Sequence, residues 1–416
     1  MEMRIVGLTN LFSVSIGLEE PWYIRSIETH GAEVHVYVDI REGDMLPCAE
    51  CGEMCLRAGY EKTERLWRHG DITFYPCYVH CRRPRMKCKK HGTKVMSAPW
   101  ARKNSRFTLL FESYAMLLLM DMPILKASRL LRCNEKSLVR ILRHWVSQAV
   151  EHDDLNEVKQ LVIDETSFKR GHSYVTVVVD TLKRRVIDVA KGRKAETVID
   201  FSYHLESKGG SCEKIESVSS DMSRAYRSGI EYCFPYALHT IDKFHVKKLL
   251  LDGMDEVRWS EQKEHKSKTL HLGRRLLMIP YTKQSVTQRE QTNALCKKYP
   301  KTGRAYRMVQ ALDIVYASSS YEEAQERLKS LCSWLRLSRL EPMKRVGLTL
   351  QKNAKEILNV SITKLTNAIC EGINSLIQAA KQKARGYHTF EGFSSMIYLI
   401  AGKLQIACPN PLRLWE

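Results

Sequence analysis

The chain has 416 residues, of which 44% are hydrophobic and 27% are charged. This composition excludes a collagen, a short peptide and a disordered tail, and the length suffices for two or three domains. The 66 Lys and Arg residues outnumber the 47 Asp and Glu residues, which gives a formal net charge of +19 at pH 7. Such an excess indicates a polyanionic partner, most often a nucleic acid.

Two features of the sequence favour an intracellular, cytoplasmic protein without membrane association. No apolar run reaches the roughly 18 residues of a membrane span, and the longest candidate, around Leu118, is interrupted by Asp121. The first residues, MEMRIVGLTNLF, lack the basic and apolar regions of a signal peptide. Thirteen cysteines without an export signal therefore favour reduced thiols and metal binding over a disulfide framework.

The first 100 residues contain short alternating runs such as AEVHVYVDI and a cluster of cysteines, which predict a β-rich module. Two pairs of candidate zinc ligands, each separated by two residues, are Cys48 with Cys51 and Cys88 with His91. Zinc prefers four tetrahedral thiolate and imidazole ligands, and such a closed site is structural. Unliganded, buried cysteines are the alternative. Other cysteines nearby in the sequence offer different ligand sets: Cys55, Cys77 and Cys81.

From Arg106 to about Val150 the spacing of apolar residues becomes helical and predicts three successive helices. The last two have the layout of a helix-turn-helix over residues 123–146, with the turn at 132–134. The second helix of this pair places four apolar residues on one face, which predicts their burial: Leu138, Ile141, Leu142 and Trp145. Another side carries three candidate DNA contacts: Lys136, Arg140 and Arg143. An ordinary helical pair with a basic face is the alternative.

From residue 156 the pattern predicts three strands, a helix, a strand, a helix, a strand and a helix, which is the order of an RNase H-like fold. Three acids lie on separate elements: Asp164 in LVIDE, Asp221 at the end of SVSSD and Glu371 in NAICEGIN. Carboxylates are costly to bury unless they bind metal, so together they predict a site for two divalent cations. Such ions activate a water or a 3′-hydroxyl in phosphodiester displacement. Each acid alone also fits a turn, a helix N-cap or a solvated helix.

Further residues near these acids are candidates for supporting roles. Asp242 and His245, in TIDKFHVKK, follow the last predicted strand, whereas strand alternation turns Glu165 to the other side of the sheet. Residues 243–310 carry 16 Lys and Arg against 6 Asp and Glu, which predicts a DNA-tracking insertion or, alternatively, a solvated helical surface. Beyond Glu371, three basic residues are candidates for phosphate contacts or form an ordinary basic helix end: Lys381, Lys383 and Arg385.

An ordered series of segments resembles the ISL3 family of bacterial insertion-sequence transposases, which carry a DDE catalytic triad. The segments are CAECG, PRMKCKKHG, APWARKNSRFTLLFE, VIDETSFKRGHSYVTVVVD, SSDMSRAY, IDKFHVKK and TNAICEGINSLIQAAKQKARGYHTFEGF. The resemblance implies a zinc-ribbon-like module and a helix-turn-helix that recognise terminal inverted repeats, joined to an RNase H-like core. It also implies that the triad is Asp164, Asp221 and Glu371. The zinc ligands that it implies are Cys48, Cys51, Cys88 and His91.

The sequence thus predicts a multidomain α/β protein with five parts. These are a β-rich zinc-binding module at 1–100, a helix-turn-helix domain at 101–155, the first part of an RNase H-like core at 156–250, a basic helical insertion at 251–360, and C-terminal core helices with Glu371 at 361–416.

The expected activity is cleavage and strand transfer of double-stranded DNA, which includes the terminal repeats and the target. Two magnesium ions, or manganese, are expected at the acids beside a structural zinc. A dimer or larger assembly is expected on DNA, because two element ends must be brought together. The alternatives are a DNA-binding regulator without catalysis and an RNase H-like nuclease without strand transfer.

Overall fold

The computed structural model describes residues 8–48, 50–169, 173–363, 368–384 and 386–409. Its chain divides into two compact units. Unit 1 comprises the described residues of Met1–Asp153, Ala380–Ile400 and Leu404–Glu416. Unit 2 comprises those of Asp154–Ala379 and Ala401–Lys403. The finer division into five parts stays a prediction.

Unit 1 begins with helix α1 (Leu8–Ile16), which the sequence patterns did not predict, and continues as two four-stranded sheets. Their strands are β1 (Trp22–His30), β2 (Glu33–Ile40), β3 (Met45–Pro47), β4 (Met54–Tyr60), β5 (Arg65–Ile72), β6 (Tyr75–Cys81), β7 (Pro84–Cys88) and β8 (Gly92–Val95). One sheet has the order β1-β2-β6-β5 and the other β3-β4-β7-β8. Alternation along β2 buries Val36, Val38 and Ile40 in the core of this module, because successive side chains of a strand face opposite sides.

The predicted helix-turn-helix consists of α3 (Ile124–Leu130) and α4 (Glu135–Glu151), preceded by α2 (Leu109–Asp121). Arg132 has a φ of 49° and reverses the chain between α3 and α4. Asn134 then caps α4, since its side chain accepts a hydrogen bond from the backbone N–H of Lys136 at 2.7 Å. All four residues predicted to face the core are buried: Leu138, Ile141, Leu142 and Trp145.

Residues far along the sequence complete the core of these helices. A C-terminal helix, Phe390–Ala401, contributes Met396 and Leu399 to it. The segment after that helix adds three more buried side chains: Leu404, Ile406 and Cys408. The hydrophobic core around the helix-turn-helix is therefore built from α2 to α4 and from the C-terminal end of the described chain.

Glu112 of α2 forms a buried polar centre in unit 1. Its side chain is 0% exposed. It accepts hydrogen bonds from Arg102 Nε at 2.7 and 3.0 Å, from Ser105 Oγ at 2.6 Å and from Trp145 Nε1 at 2.8 Å. A buried carboxylate is costly unless it is paired and hydrogen-bonded. This network therefore fixes the segment before α2, and also α4, against α2.

Unit 2 contains a five-stranded sheet in the order β11-β10-β9-β12-β13. Its strands are β9 (Gln160–Lys169), β10 (Ser173–Asp180), β11 (Arg185–Lys191), β12 (Ser217–Ser220) and β13 (Leu238–Ile241). Helices α5 (Ala195–Ser207) and α6 (Arg224–Cys233) connect the later strands and pack on one face of the sheet. The first three strands are antiparallel, whereas β12 runs parallel to both β9 and β13. The order of strands and helices is the one that the sequence predicts.

A helical segment follows β13 and has its own hydrophobic core. Its helices are α7 (Lys243–His265), α8 (Lys268–Leu272), α9 (Arg274–Leu277), α10 (Val286–Lys298), α11 (Pro300–Tyr316), α12 (Tyr321–Arg336), α13 (Glu341–Lys352), α14 (Ala354–Leu358) and α15 (Val360–Thr363). Helix α16 (Ala368–Lys383) follows this segment, and the C-terminal helix Phe390–Ala401 is α17. Helix α12 ends at Arg336, and the chain turns at Arg339, which has a φ of 58°, before α13 begins. Among the described residues, no helix combines the length and the hydropathy that a bilayer span requires.

We expect Glu112→Ala to destabilise unit 1 by about 3 kcal/mol, because the donors of Arg102 and Trp145 lose their buried acceptor. Differential scanning calorimetry should show the transition of unit 1 lowered by roughly 6–12 °C. Glu42→Ala, which removes an exposed glutamate of the same unit, serves as the control and should leave the transition in place. Equal transitions for both variants would contradict this role of Glu112.

Candidate active site and metal-binding cluster

Three aspartates lie together at one end of the sheet of unit 2. Asp164 lies within β9, whereas Asp221 and Asp242 directly follow β12 and β13. The parallel register of β12 with β9 and with β13, extended by one or two residues, places Asp221 beside both Asp164 and Asp242. Neighbouring strands are about 4.8 Å apart. The three carboxyl groups therefore belong to one cluster.

Helix α16 is fastened to β9 next to this cluster by two side-chain amides. Asn374 Nδ2 donates a hydrogen bond to Asp164 Oδ2 at 2.7 Å, and Gln378 Nε2 donates one to Thr166 Oγ1 at 2.8 Å. Asp164 and Thr166 face the same side of the sheet because they are two residues apart on one strand. Glu371, Asn374 and Gln378 have the spacing i, i+3 and i+7, which puts them on one face of α16. Glu371 is thus presented on the side of the sheet that carries Asp164.

The carboxyl group of Asp242 lies in a destabilising environment. Burial raises its pKa, and the negative charges of Asp164 and Glu371 raise it further, against the backbone N–H of Phe244 and the nearby His245. Oδ1 accepts the hydrogen bond from that N–H at 3.0 Å. Oδ2 has no hydrogen-bond partner among the described residues, although the residue is only 4% exposed. A buried oxygen of this kind suits a bound cation.

Asp221 and His245 complete the electrostatics of the cluster. Burial raises the pKa of Asp221, although the backbone N–H of Ser223 donates to its Oδ1 at 2.8 Å. His245 Nε2 lies 3.7 Å from Asp164 Oδ1 and 3.8 Å from Asp242 Oδ2. Burial lowers the pKa of His245, but the negative charges of Asp164, Asp242 and Asp221 prevail and raise it overall. The imidazolium therefore offsets part of the repulsion among the carboxylates.

The sequence patterns missed Asn374 and Gln378. The available signal was their spacing from Glu371, but amides at helical spacing are ordinary surface residues. Glu165, which alternation turns to the other side of the sheet, lies 3.4 Å from the guanidinium of Arg193. Asp242, a candidate for a supporting role in the sequence, caps α7 through the backbone N–H of Phe244 and is also buried beside the other acids.

A second cluster lies in unit 1, where the structure brings together Cys48, Cys51, Cys88 and His91. Their ligand atoms all lie within 4.8 Å of one another. Cys51 Sγ is 3.7 Å from Cys88 Sγ, and His91 Nδ1 is 3.7 Å from the sulfurs of both Cys48 and Cys88. Tetrahedral zinc with Zn–S bonds of about 2.3 Å places its sulfur ligands about 3.8 Å apart. Three thiols and an imidazole at these separations fit zinc.

The backbone around this cluster favours its metal-binding form. The backbone N–H of Glu50 lowers the pKa of Cys48, and that of His91 lowers the pKa of Cys88, because hydrogen bonds to sulfur stabilise the thiolate. His91 Nε2 lies 3.7 Å from the carboxylate of Glu50, which favours the orientation that presents Nδ1 to the sulfurs. The two turns therefore supply ligands and also stabilise the thiolates of Cys48 and Cys88.

The neighbouring cysteines lie outside this four-ligand cluster. Cys55 Sγ donates to the carbonyl oxygen of Glu53 at 3.1 Å. Cys77 and Cys81 lie on β6, where burial raises their pKa to about 11 and about 12. These values correspond to neutral thiols, which are poor zinc ligands.

Most of the basic residues that the sequence nominated for DNA contact are accessible. On α4, three side chains are exposed: Lys136, Arg140 and Arg143. On α16, Lys383 is exposed and Lys381 is half-buried, and burial lowers the pKa of Lys381. Arg385 lies outside the described residues.

We expect about one zinc ion per chain, and we expect Cys51→Ser to lose it, because a serine hydroxyl is a poor zinc ligand. Loss of the metal should also destabilise unit 1, since binding energy at a structural zinc site contributes to folding. Elemental analysis of the purified protein and near-ultraviolet circular dichroism would measure both effects. The matched control is Cys55→Ser, which should retain the zinc. Retention of zinc by Cys51→Ser would contradict the assigned ligand set.

Known proteins resemble the chain over both units. The transposase model of the ISL3 family, whose name includes the designation DDE, matches residues 161–397, which is more than half of the chain. The helix-turn-helix domain of transposase family ISL3 matches residues 96–146. The latter range contains α3 and most of α4.

Two curated relatives extend this similarity to nearly the whole chain. The transposase for insertion sequence element IS1557 of Mycobacterium tuberculosis is 23% identical over 422 residues, which cover 94% of this chain and 94% of that protein. The transposase for insertion sequence element IS1001 of Bordetella parapertussis is 26% identical over 384 residues, which cover 88% and 91%. The resemblance seen in the sequence is thereby confirmed, and the chain belongs to the ISL3 family of transposases.

Proposed function

We propose that this transposase binds the terminal inverted repeats of an insertion sequence and cleaves and joins DNA by a metal-dependent DDE mechanism. The catalytic acids are Asp164, Asp221 and Glu371. One observation carries the proposal: Asp164 and Asp221 meet at one end of the sheet, and Asn374 fastens the helix of Glu371 to Asp164. Membership of a transposase family supports an enzyme that cleaves or transfers DNA.

We further propose that unit 2 contains an RNase H-like core. Three antiparallel strands followed by two parallel strands, with helices between the later ones, support this fold. The helices from α7 to α15 separate this sheet from α16, as an insertion within the core would do. The excess of basic residues at 243–310 suits a surface that follows the DNA backbone.

The acid cluster is proposed to hold two divalent cations. Carboxylate oxygens favour hard ions, which supports magnesium, with manganese as a substitute. When bound, the ions would activate a water or a 3′-hydroxyl and stabilise the leaving oxygen of the phosphodiester. The buried Oδ2 of Asp242 and the raised pKa values of Asp221 and Asp242 support this assignment, because a cation relieves both.

Each residue of the cluster has a distinct proposed role. Asp164, Asp221 and Glu371 would hold the two ions. Asp242 adds a fourth carboxylate at the same end of the sheet. His245 lies at ion-pair distance from one oxygen of Asp164, and the amide of Asn374 fixes the second oxygen of the same carboxylate.

DNA recognition is proposed to reside in unit 1. The exposed basic side of α4 would enter the major groove of the terminal repeat, and the zinc cluster would stabilise the β-rich module beside it. Lys381, Lys383 and Arg385 would contact phosphates. Because two element ends must be joined, we propose a dimer or larger assembly on DNA. The substrate is the DNA of the host cell, so we place the protein in the cytoplasm.

We expect Asp164→Asn, Asp221→Asn and Glu371→Gln each to reduce nicking and joining of a duplex carrying the element's end by about a thousandfold or more. Binding of that duplex should survive, because the acids lie outside the helix-turn-helix. A gel assay with labelled DNA and magnesium measures cleavage and joining, and a mobility shift measures binding. Asp200→Asn, an exposed residue of α5, is the control and should remain active. Activity in the triad variants would refute the assignment.

We expect Asp242→Asn to affect stability in opposite directions without and with magnesium. Asparagine preserves the cap of α7, because its side-chain oxygen still accepts from the backbone of Phe244. Without metal, loss of a buried like charge should raise the Tm of unit 2 by about 2–4 °C. With saturating magnesium, the wild type should gain more, since binding stabilises the state that binds better. Equal magnesium shifts for both proteins in calorimetry would argue against Asp242 as a ligand.

A further inference from the structure

The hairpin between β5 and β6 presents an aromatic ring beside the helix-turn-helix. Its loop consists of two residues, Thr73 and Phe74, because Ile72 pairs with Tyr75. Thr73 has a φ of 60°, as tight hairpins require. The side chain of Phe74 is 81% exposed at the tip, and the ring of Tyr75 is 52% exposed next to it.

An arginine of the helix-turn-helix turn fastens this tip in place. The guanidinium of Arg132 donates hydrogen bonds to the carboxylate of Asp71 and to the carbonyl oxygen of Phe74. The guanidinium of Arg68 donates to the other oxygen of Asp71. Asp71 thus joins the hairpin to the turn between α3 and α4, and Phe74 is held by its own backbone.

The base of the hairpin is also tied to the helices. The backbone N–H of Arg68 donates to the carbonyl of Arg106 at 2.8 Å, and the backbone N–H of Thr108 donates to the carbonyl of Arg68 at 3.0 Å. His69 Nδ1 is hydrogen-bonded to the hydroxyl of Thr108, which caps α2, at 2.9 Å. Burial lowers the pKa of His69 to about 4, so the ring is neutral at pH 7. The hairpin and the helices therefore form one body within unit 1.

The contact with Arg132 places Phe74 near the N-terminal end of α4. Arg132 precedes Glu135, the first residue of α4, by three positions, and the N-terminal residues of a recognition helix contact base edges. Three exposed cations lie on α3 and in the first turn of α4: Lys126, Arg129 and Lys136. A duplex bound by α4 therefore brings its sugars and bases close to the tip. An uncharged ring gains nothing from phosphates, but it packs against sugars and base faces.

We propose that the β5–β6 hairpin is a second DNA-binding element, with Phe74 packed in the groove of the terminal repeat that flanks the groove entered by α4. The proposal rests on the proposed recognition of the terminal repeats by unit 1. It assigns the β-rich module a direct part in DNA binding beside its structural zinc cluster.

The first test compares Phe74→Ala with the wild type on a duplex carrying the terminal repeat and on an unrelated duplex. The variant should bind the terminal repeat about tenfold more weakly. The salt dependence of binding should stay unchanged, because Phe74 contacts no phosphate. Tyr232→Ala, which removes a 75% exposed ring from α6 of unit 2, is the control and should bind like the wild type.

A second variant separates anchoring from charge. Asp71→Ala removes a negative charge near the DNA, so electrostatics alone would strengthen binding. Loss of the anchor for Arg132 and Arg68 would instead weaken binding to the terminal repeat, which is the result we expect. A third variant, Phe74→Trp, reports the contact directly through a change of its emission when the terminal-repeat duplex is added.

The outcomes distinguish this inference from the proposed function. If the wild type does not prefer the terminal repeat, recognition of the repeats by unit 1 fails, and the hairpin proposal fails with it. If the wild type prefers the repeat but Phe74→Ala binds equally well and the emission of Phe74→Trp is unchanged, only the hairpin proposal is overturned. Loss of self-association in Phe74→Ala, with DNA binding intact, would also overturn it and assign the ring to a contact between copies of the chain.

Discussion

The free-energy cost of burying a carboxylate explains which side chains surround Glu112 within unit 1 and Asp242 within unit 2. In unit 1, Glu112 is fully enclosed, and every part of its charge is matched by a guanidinium, a hydroxyl or an indole N–H. In unit 2, Asp242 is almost as deeply buried, but one of its oxygens lacks a hydrogen-bond partner within the described chain, and further acids lie beside it. In unit 1 the hydrogen bonds that offset this cost fix α2 against α4. In unit 2 the cost is left to be offset by cations that would bind the acidic cluster.

The contact between α16 and β9 is made by neutral side chains and therefore leaves the negative charge of the acidic cluster in place. Asn374 holds the carboxylate of Asp164 through a neutral amide, and Gln378 extends the same neutral contact to Thr166. A lysine or an arginine in place of Asn374 would neutralise the acid that a metal ion is expected to need. The amides therefore align Glu371 with the aspartates and leave the negative charge of the cluster available.

Local patterns predicted what local physics determines. The apolar face of α4 and the cysteine turns follow from residue spacing, and the sequence singled out Asp164 because it interrupts the apolar run LVI and Asp221 because it closes the predicted strand SVSSD. Tertiary contacts were beyond reach. The amides of α16 look like ordinary surface residues in the sequence although they contact β9, and nothing in the sequence of the turn indicates that Arg132 contacts the tip of the β5–β6 hairpin. Leu404 and Ile406 pack on helices that are distant from them in the sequence, and the periodicity of a helix or a strand cannot predict such a contact.

This last contact has a consequence for the order in which the protein matures on the ribosome. The side chains that close the core around α2 and α4 come from residues 396–408, and the hydroxyl of Ser113 donates to the carbonyl of Pro409. Synthesis proceeds from the N-terminus, so all three acids of the triad are translated before that core is complete. A shortened product that ends before these residues lacks part of the core, and if unit 1 recognises the element's ends as proposed, such a product should compete poorly for them. Under the proposed function, every chain that completes the core around α2 and α4 therefore also contains Asp164, Asp221 and Glu371.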